Sequence, residues 1–180
     1  MGDALTSRCV LITGAIGSGK TTISSILVSR LALPYVSPDL YFQYLLSCAC
    51  CSDDRRYDLA RRLCRHRLEF LRDGRRSFVW ETVMASDWKW DFLSTCRRTH
   101  FLTVIYVSVG LPEVCVERAD RRADAGWYRV SSQKVMESHS AMSRRRDRLA
   151  QLANQFILID NSDDLAGDPT EALERVLIHV

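Results

Sequence analysis

Apolar positions along the chain follow two alternating rhythms. Short continuous apolar runs bounded by glycine, proline or acids read as buried strands, and stretches with apolar residues three and four apart read as helices. The run 9–13, Cys-Val-Leu-Ile-Thr, meets a glycine at once and predicts a first strand. Residues 21–33 follow with Ile23, Ile26, Leu27 and Leu31 at helical spacing, and Pro34 stops the helix. Tyr35 and Val36 predict a brief second strand ending at Ser37-Pro38-Asp39. Helices are predicted over 40–48 and 54–72, the latter with Leu59, Leu63, Phe70 and Leu71 as its apolar face and Asp73-Gly74 as its close. Strand 77–81, helix 88–98, strand 101–109, helices 112–125 and 131–153, strand 156–160 and a closing helix 170–178 complete the pattern.

Strands separated by helical crossovers predict an α/β fold, a parallel sheet of about five strands sandwiched by helices. Residues 1–180 read as one domain, with a small lid at about 112–130. Such sheets bind ligands outside the carboxyl ends of their strands. Attention therefore falls on residues 14–21, Asp39, Glu81 with Thr82, and the segment after Val109.

Composition adds limits. An apolar share of 47% builds a core and excludes wholesale disorder, and a net charge of +3 does not demand a nucleic-acid partner. No apolar run approaches the ~18 residues of a membrane span. The N-terminus lacks a secretory pattern, and the seven cysteines are an odd count, so free thiols in a reducing cytoplasm are expected. The cluster Cys48, Cys50, Cys51, Cys64 and His66 lacks the paired spacing of a zinc site and reads as thiols without a metal.

The chemistry concentrates in Gly14-Ala15-Ile16-Gly17-Ser18-Gly19-Lys20-Thr21, which fits the phosphate-binding pattern G-x-x-x-x-G-K-[ST] without a mismatch. Glycines let the backbone curl its N–H groups inward at a phosphate, Lys20 reaches the β- and γ-phosphates, and Thr21 offers a hydroxyl to Mg²⁺. The helix that opens there, with Thr22, points its positive end at the anion. ATP and Mg²⁺ are the expected cofactors. No guanine-reading Asn-Lys-x-Asp is present, and strand 101–109 does not end in the paired acids of a motor ATPase. Small kinases instead place one carboxylate after the second strand and close an arginine-bearing lid over ATP. Asp39 stands in the first position, and Arg118 and Arg122 share one helix face four residues apart. A helix N-cap for Asp39 and a solvated surface for the arginines are the plainer alternatives.

With these pieces in place the chain resembles the zeta-toxin-like kinases, including their short stand-alone branch of predicted ATPases or kinases. The resemblance runs from Gly14 to about Asp164. It rests on the 14–21 loop, Pro38-Asp39-Leu40, Phe78-Val-Trp-Glu81-Thr82, Leu111-Pro-Glu-Val-Cys-Val-Glu-Arg118 with Arg122, Arg129-Val-Ser, and Ile159-Asp-Asn161-Ser162. It implies that Asp39 takes or orients the proton of an acceptor hydroxyl. Glu81 and Thr82 are implied near the acceptor and Mg²⁺, with Glu81 acting through water. Arg118 and Arg129 are implied around the triphosphate, and Asn161 in the adenine-side loop. Zeta toxins phosphorylate a UDP-activated N-acetylated amino sugar. The resemblance thus implies γ-phosphoryl transfer to a small-molecule hydroxyl and leaves the acceptor and any antitoxin-like protein partner open.

Two rival readings remain. The basic runs 61–67 and 144–148 read first as solvated helix faces, and second as the nucleic-acid surface of a polynucleotide 5′-hydroxyl kinase. A slow ATPase serving as a nucleotide-dependent binding protein is the rival from another class. Trp80, inside a strand, reads as core, and Trp127 stands where it can face ligand.

Overall fold

The strand predicted first is the middle of the sheet. In the computed structural model, which describes residues 7–47 and 52–163, β1 (Arg8–Gly14) lies between β3 (Phe78–Glu81) and β4 (Phe101–Ser108). The short β2 (Tyr35–Val36) borders β3, and β5 (Gln155–Asp160) borders β4, giving the order β2-β3-β1-β4-β5 with every pair parallel. This is the parallel α/β sheet that the sequence predicts.

A central strand buried on both faces sorts its side chains by alternation. Cys9 and Leu11 of β1 join Phe78, Trp80, Leu102, Val104 and Tyr106 in one core. That face is covered by α3 (Asp53–Asp73), α4 (Asp87–Thr99) and α6 (Ser132–Leu152). Val10 and Ile12 join Val79, Ile105 and Val107 in the second core, against Ile23 and Leu27 of α1 (Lys20–Leu31). A third cluster joins Ala15 and Val109 to Cys115 of α5 (Pro112–Asp124) and Val135 of α6. It ties the phosphate loop to α5 and α6.

Element ends moved where local chemistry allowed. α1 stops at Leu31 because Ala32 turns into the left-handed region at φ 49° and donates its amide to Val28 O. α2 (Pro38–Leu45) starts two residues before the predicted 40–48 helix, since the fixed φ of Pro38 suits a first helical turn.

The apolar face predicted for α3 is corrected. Leu59, Leu63 and Phe70 are 42%, 38% and 54% exposed, while Ala60, Cys64, Leu68 and Leu71 enter the core. Both stripes have helical spacing. The one with small residues at Ala60 and Cys64 lets α3 approach its neighbours closely. Cys64 thus faces the core while His66 faces solvent, so the two do not share a metal site. Cys48, Cys50, Cys51 and the predicted 170–178 helix lie outside the described residues. Among the described residues no helix is long and apolar enough to cross a membrane.

The rotation of α3 is open to measurement. Leu68→Ala should cost about 2–5 kcal/mol in urea unfolding, the usual range for a filled core position. Leu59→Ala should cost about 1 kcal/mol or less, near the range for surface positions. Equal costs would restore the face that the sequence predicts.

Candidate active site

Parallel strands deliver all their carboxyl ends to one edge of the sheet, and the site is assembled there. The loop after β1 is tight. Gly17 and Gly19 have φ of 78° and 91°, and a Cβ on Gly17 would lie 2.1 Å from the Cys115 carbonyl oxygen. The Lys20 ammonium is buried and donates to Ala15 O at 2.5 Å. Burial pulls its pKa below the ordinary lysine value, opposed by the carboxylates of Glu81 and Asp39 and assisted by the Arg122 guanidinium. Those three charged groups therefore gather around the loop lysine. The Ile16 amide is held by Ser138 Oγ at 3.1 Å.

β3 sets Glu81. The Thr82 amide donates to Ile12 O at 3.1 Å, which extends the β1–β3 ladder past the strand and fixes the carboxylate at its end. Glu81 accepts from Thr21 Oγ1 at 3.0 Å and from the Tyr35 hydroxyl. Desolvation and the adjacent carboxylate push the Tyr35 pKa up, so its proton stays on the phenol.

Asp39 lies in the first turn of α2, where Ser37 holds the cap position, so the N-cap alternative does not apply. Its carboxylate accepts from Arg122 Nη2 at 2.9 Å and from the Tyr57 hydroxyl at 3.4 Å. Tyr57 stacks on Tyr128 at 4.3 Å, and Phe42 meets both edge-on. Tyr128 donates to Asp54 Oδ1 at 2.7 Å. This aromatic cluster pins the segment after α5 to α2 and α3.

Arg118 and Arg122 share a helix face as expected but diverge in role. Arg118 is buried and donates to Asn161 O at 2.9 Å, while Asn161 Nδ2 donates to Ser18 O at 2.9 Å. Arg122 reaches Asp39 and lies over the Trp127 ring at 4.7 Å. Arg129 is not brought to the site. It pairs with Asp124 at 2.7 Å and Asp120 at 4.0 Å, and its side chain is 63% exposed.

Two cavities meet at Gly17, Lys20 and Arg122. One, of about 540 Å³, is lined by Gly19, Thr21, Thr22, Arg118, Trp127 and Asn161. The other, of about 930 Å³, extends past Asp39, Glu81 and Thr82 toward α3, α4 and α6. The phosphate loop thus stands between two cavities, and Arg122, which lines both, is bonded to Asp39 in the larger one.

A family model described as an AAA domain, AAA_33, matches residues 9–149. The chain belongs to this AAA-domain family. No curated protein sequence matches it. Among solved structures, a proposed kinase from Chloroflexus aurantiacus j-10-fl is similar at 19% identity and TM-score 0.68, over 97% of this chain and 96% of that one. The PezAT chromosomal toxin–antitoxin system of Streptococcus pneumoniae gives 14% identity and TM-score 0.62, over 88% and 70%. Shikimate kinase from Bacteroides thetaiotaomicron gives 18% identity and TM-score 0.54, over 96% and 99%. At these identities the likeness is one of fold, the P-loop kinase fold.

This AAA-domain protein also holds a residue that sequence reasoning passed over. Lys89 of α4 donates its ammonium to Thr82 Oγ1 at 2.7 Å and to Val83 O at 2.6 Å, in the larger cavity. Burial and the nearby charges of Arg61, Lys20 and Arg145 lower its pKa to about 8. Nothing in Trp88-Lys89-Trp90 distinguishes it from a surface lysine. Only the crowding of cations from α3, α6 and the phosphate loop does so.

The chain has three lysines, Lys20, Lys89 and Lys134, so NMR of ¹³C-labelled lysine can follow each. One resonance should titrate near 8 and vanish in Lys89→Met. The fold holds Lys89 below its unfolded value of 10.5, so the unfolded chain binds the extra proton between about 8 and 10.5. The contribution of Lys89 to stability therefore rises with pH across that window. A Lys89 midpoint at the ordinary lysine value would show that the cavity is wetter than the geometry indicates.

Proposed function

We propose that the protein is an ATP-dependent kinase that transfers the γ-phosphoryl group to a hydroxyl of a small molecule. The observation that carries this reading is the convergence of Lys20, Asp39 and Arg122 where the two cavities join. The smaller cavity suits the nucleotide. Backbone N–H groups of the loop and the α1 N-terminus meet the phosphates, with Trp127 and Arg118 beside them. The larger cavity admits the acceptor, which meets Asp39 at the junction.

The transition state of phosphoryl transfer is loose, so the protein mostly positions groups and neutralises charge. The acceptor oxygen bonds to the γ-phosphorus as the bond from phosphorus to the β–γ bridging oxygen breaks, and ADP departs with that electron pair. Asp39 orients the hydroxyl, accepts its proton as the new bond forms, and releases it to solvent. Arg122 and Lys20 stand where negative charge spreads over the transferring group. Arg118, locked to Asn161 beside the loop, holds the nucleotide side. The hydroxyl of Thr21 and the carboxylate of Glu81, 3.0 Å apart, fit the hard-oxygen preference of Mg²⁺ and would hold it together with ATP phosphates. The ion would neutralise charge on the phosphate oxygens. A nucleotide-activated amino sugar, as implied by the zeta-toxin resemblance, is one acceptor within this class.

Incubation with γ-labelled ATP and pooled metabolites, UDP-sugars included, followed by mass spectrometry of labelled products, tests the reading. A labelled small molecule is expected, and ATP turnover that no acceptor accelerates would favour the slow ATPase. Lys20→Ala should remove useful ATP binding or turnover with the fold retained. Asp39→Asn should keep ATP binding and lower acceptor phosphorylation by a factor on the order of 10²–10⁴. Arg122→Ala should lower the transfer rate by about 10²-fold, more than it weakens ATP binding. An Asp39→Asn enzyme within a fewfold of wild type would move the base to Glu81.

A further inference from the structure

The larger cavity is cationic well beyond what the phosphate loop needs. Past Asp39 it is lined by Arg61, Arg62 and Arg65 of α3, Lys89 of α4, and Lys134 and Arg145 of α6. The carboxylates on that side are Asp58 and Glu137. Asp58 is taken by Arg61 at 3.4 Å, and Arg65 turns to Glu69 at 3.1 Å with its guanidinium over Trp88 at 4.9 Å. Among the described residues no carboxylate lies within ion-pair distance of Lys89 or Arg145. Three elements thus converge on one space, and the charges of Lys89 and Arg145 there are paired with no carboxylate among the described residues.

Lys89 is tied to the chain directly after β3. An ammonium carries three donors, and Lys89 spends two on Thr82 Oγ1 and Val83 O, the residues directly after Glu81. One donor is left over. Crowding like charges in a partly desolvated space is unfavourable for the protein alone, and a bound anion offsets it. The two bonds also fix the ammonium, so little side-chain freedom remains to be lost on binding.

We propose that the acceptor is an anionic alcohol, whose phosphate ester or carboxylate is held by Lys89 and Arg145 with Arg61 while its hydroxyl meets Asp39. This rests on the kinase reading above and narrows it. Neutral sugars and aminoalcohols would leave the cationic wall unpaired, so the wall discriminates against them as well as for the anion. The bond from Lys89 to Thr82, the residue directly after Glu81, keeps the anion and the reacting hydroxyl within one small molecule. That favours a metabolite over a polynucleotide.

The test uses the full chain saturated with Mg²⁺ and a non-hydrolysable ATP analogue, so that the phosphate loop is filled. Inorganic phosphate and, separately, malonate are then titrated by calorimetry. One further site is expected for at least one of them, phosphate pointing to phosphorylated alcohols and malonate to hydroxy acids. Affinity should fall about tenfold or more in Lys89→Met and in Arg145→Gln, the scale of one lost charge-assisted hydrogen bond. Arg144→Gln, on α6 but outside the cavity lining, should bind as wild type. Absence of a further site, or one that survives both substitutions, overturns the anionic acceptor and leaves the kinase reading intact. Failure of the analogue itself to bind overturns both. In the transfer assay, glycerol and glucose should be poorer acceptors than glycerate, glycerol 3-phosphate and glucose 6-phosphate. A neutral alcohol or a 5′-hydroxyl oligonucleotide as the best acceptor would also overturn the proposal.

Discussion

Everything at the site depends on how closely the loop after β1 is embraced. A Cβ at Gly17 would fall 2.1 Å from the carbonyl of Cys115 in α5, and one at Gly19 would fall 2.2 Å from Asn161 Nδ2 beyond β5. Backbone cannot yield at the first contact, so the loop, α5 and the end of β5 are packed as one unit. The same α5 carries Arg118 and Arg122. The phosphate loop and the helix that carries both guanidiniums are therefore pressed against each other by this contact.

That contact divides the work of two arginines one helical turn apart. Arg118 faces inward, where its guanidinium bonds Asn161 O and Asn161 in turn bonds Ser18 O. Arg122 faces the junction of the cavities and spans to Asp39, supported on the Trp127 ring. A planar guanidinium serves both ends of this arrangement, since it can stack on a ring while its edge meets a carboxylate. The stacked pair Tyr57 and Tyr128 holds the other side of Asp39, so the carboxylate is oriented by groups from α3 and α5 together.

The electrostatics of the larger cavity follow from the rotation of α3. With Ala60, Cys64 and Leu68 turned into the core, Arg61 and Arg65 line the space that α4 and α6 also border. The burial of Cys64 raises its pKa to about 12, so the thiol stays neutral and adds no counter-charge. The arginine runs that read in sequence as solvated faces are partly that, given the ion pairs with Asp58 and Glu69. Part of each nevertheless lines the larger cavity.

The sequence by itself determined the parallel α/β sheet, the phosphate loop and the place of Asp39 just after the second strand. Those signals are local. A continuous apolar run ending in glycines, a fixed G-x-x-x-x-G-K-[ST] spacing and an acid after a strand each depend on a few adjacent residues. Tertiary structure decided which of two helical stripes α3 buries, because both have the right period and only packing against α2 and the sheet selects the smaller side chains. It also separated the arginines, turning Arg118 to Asn161, Arg122 to Asp39 and Arg129 to Asp124 and Asp120, away from the site. Lys89 was invisible for the same reason. Its meaning comes from Arg61, Arg145 and Lys20, residues far apart in the chain whose charges become neighbours only when the helices close over the sheet.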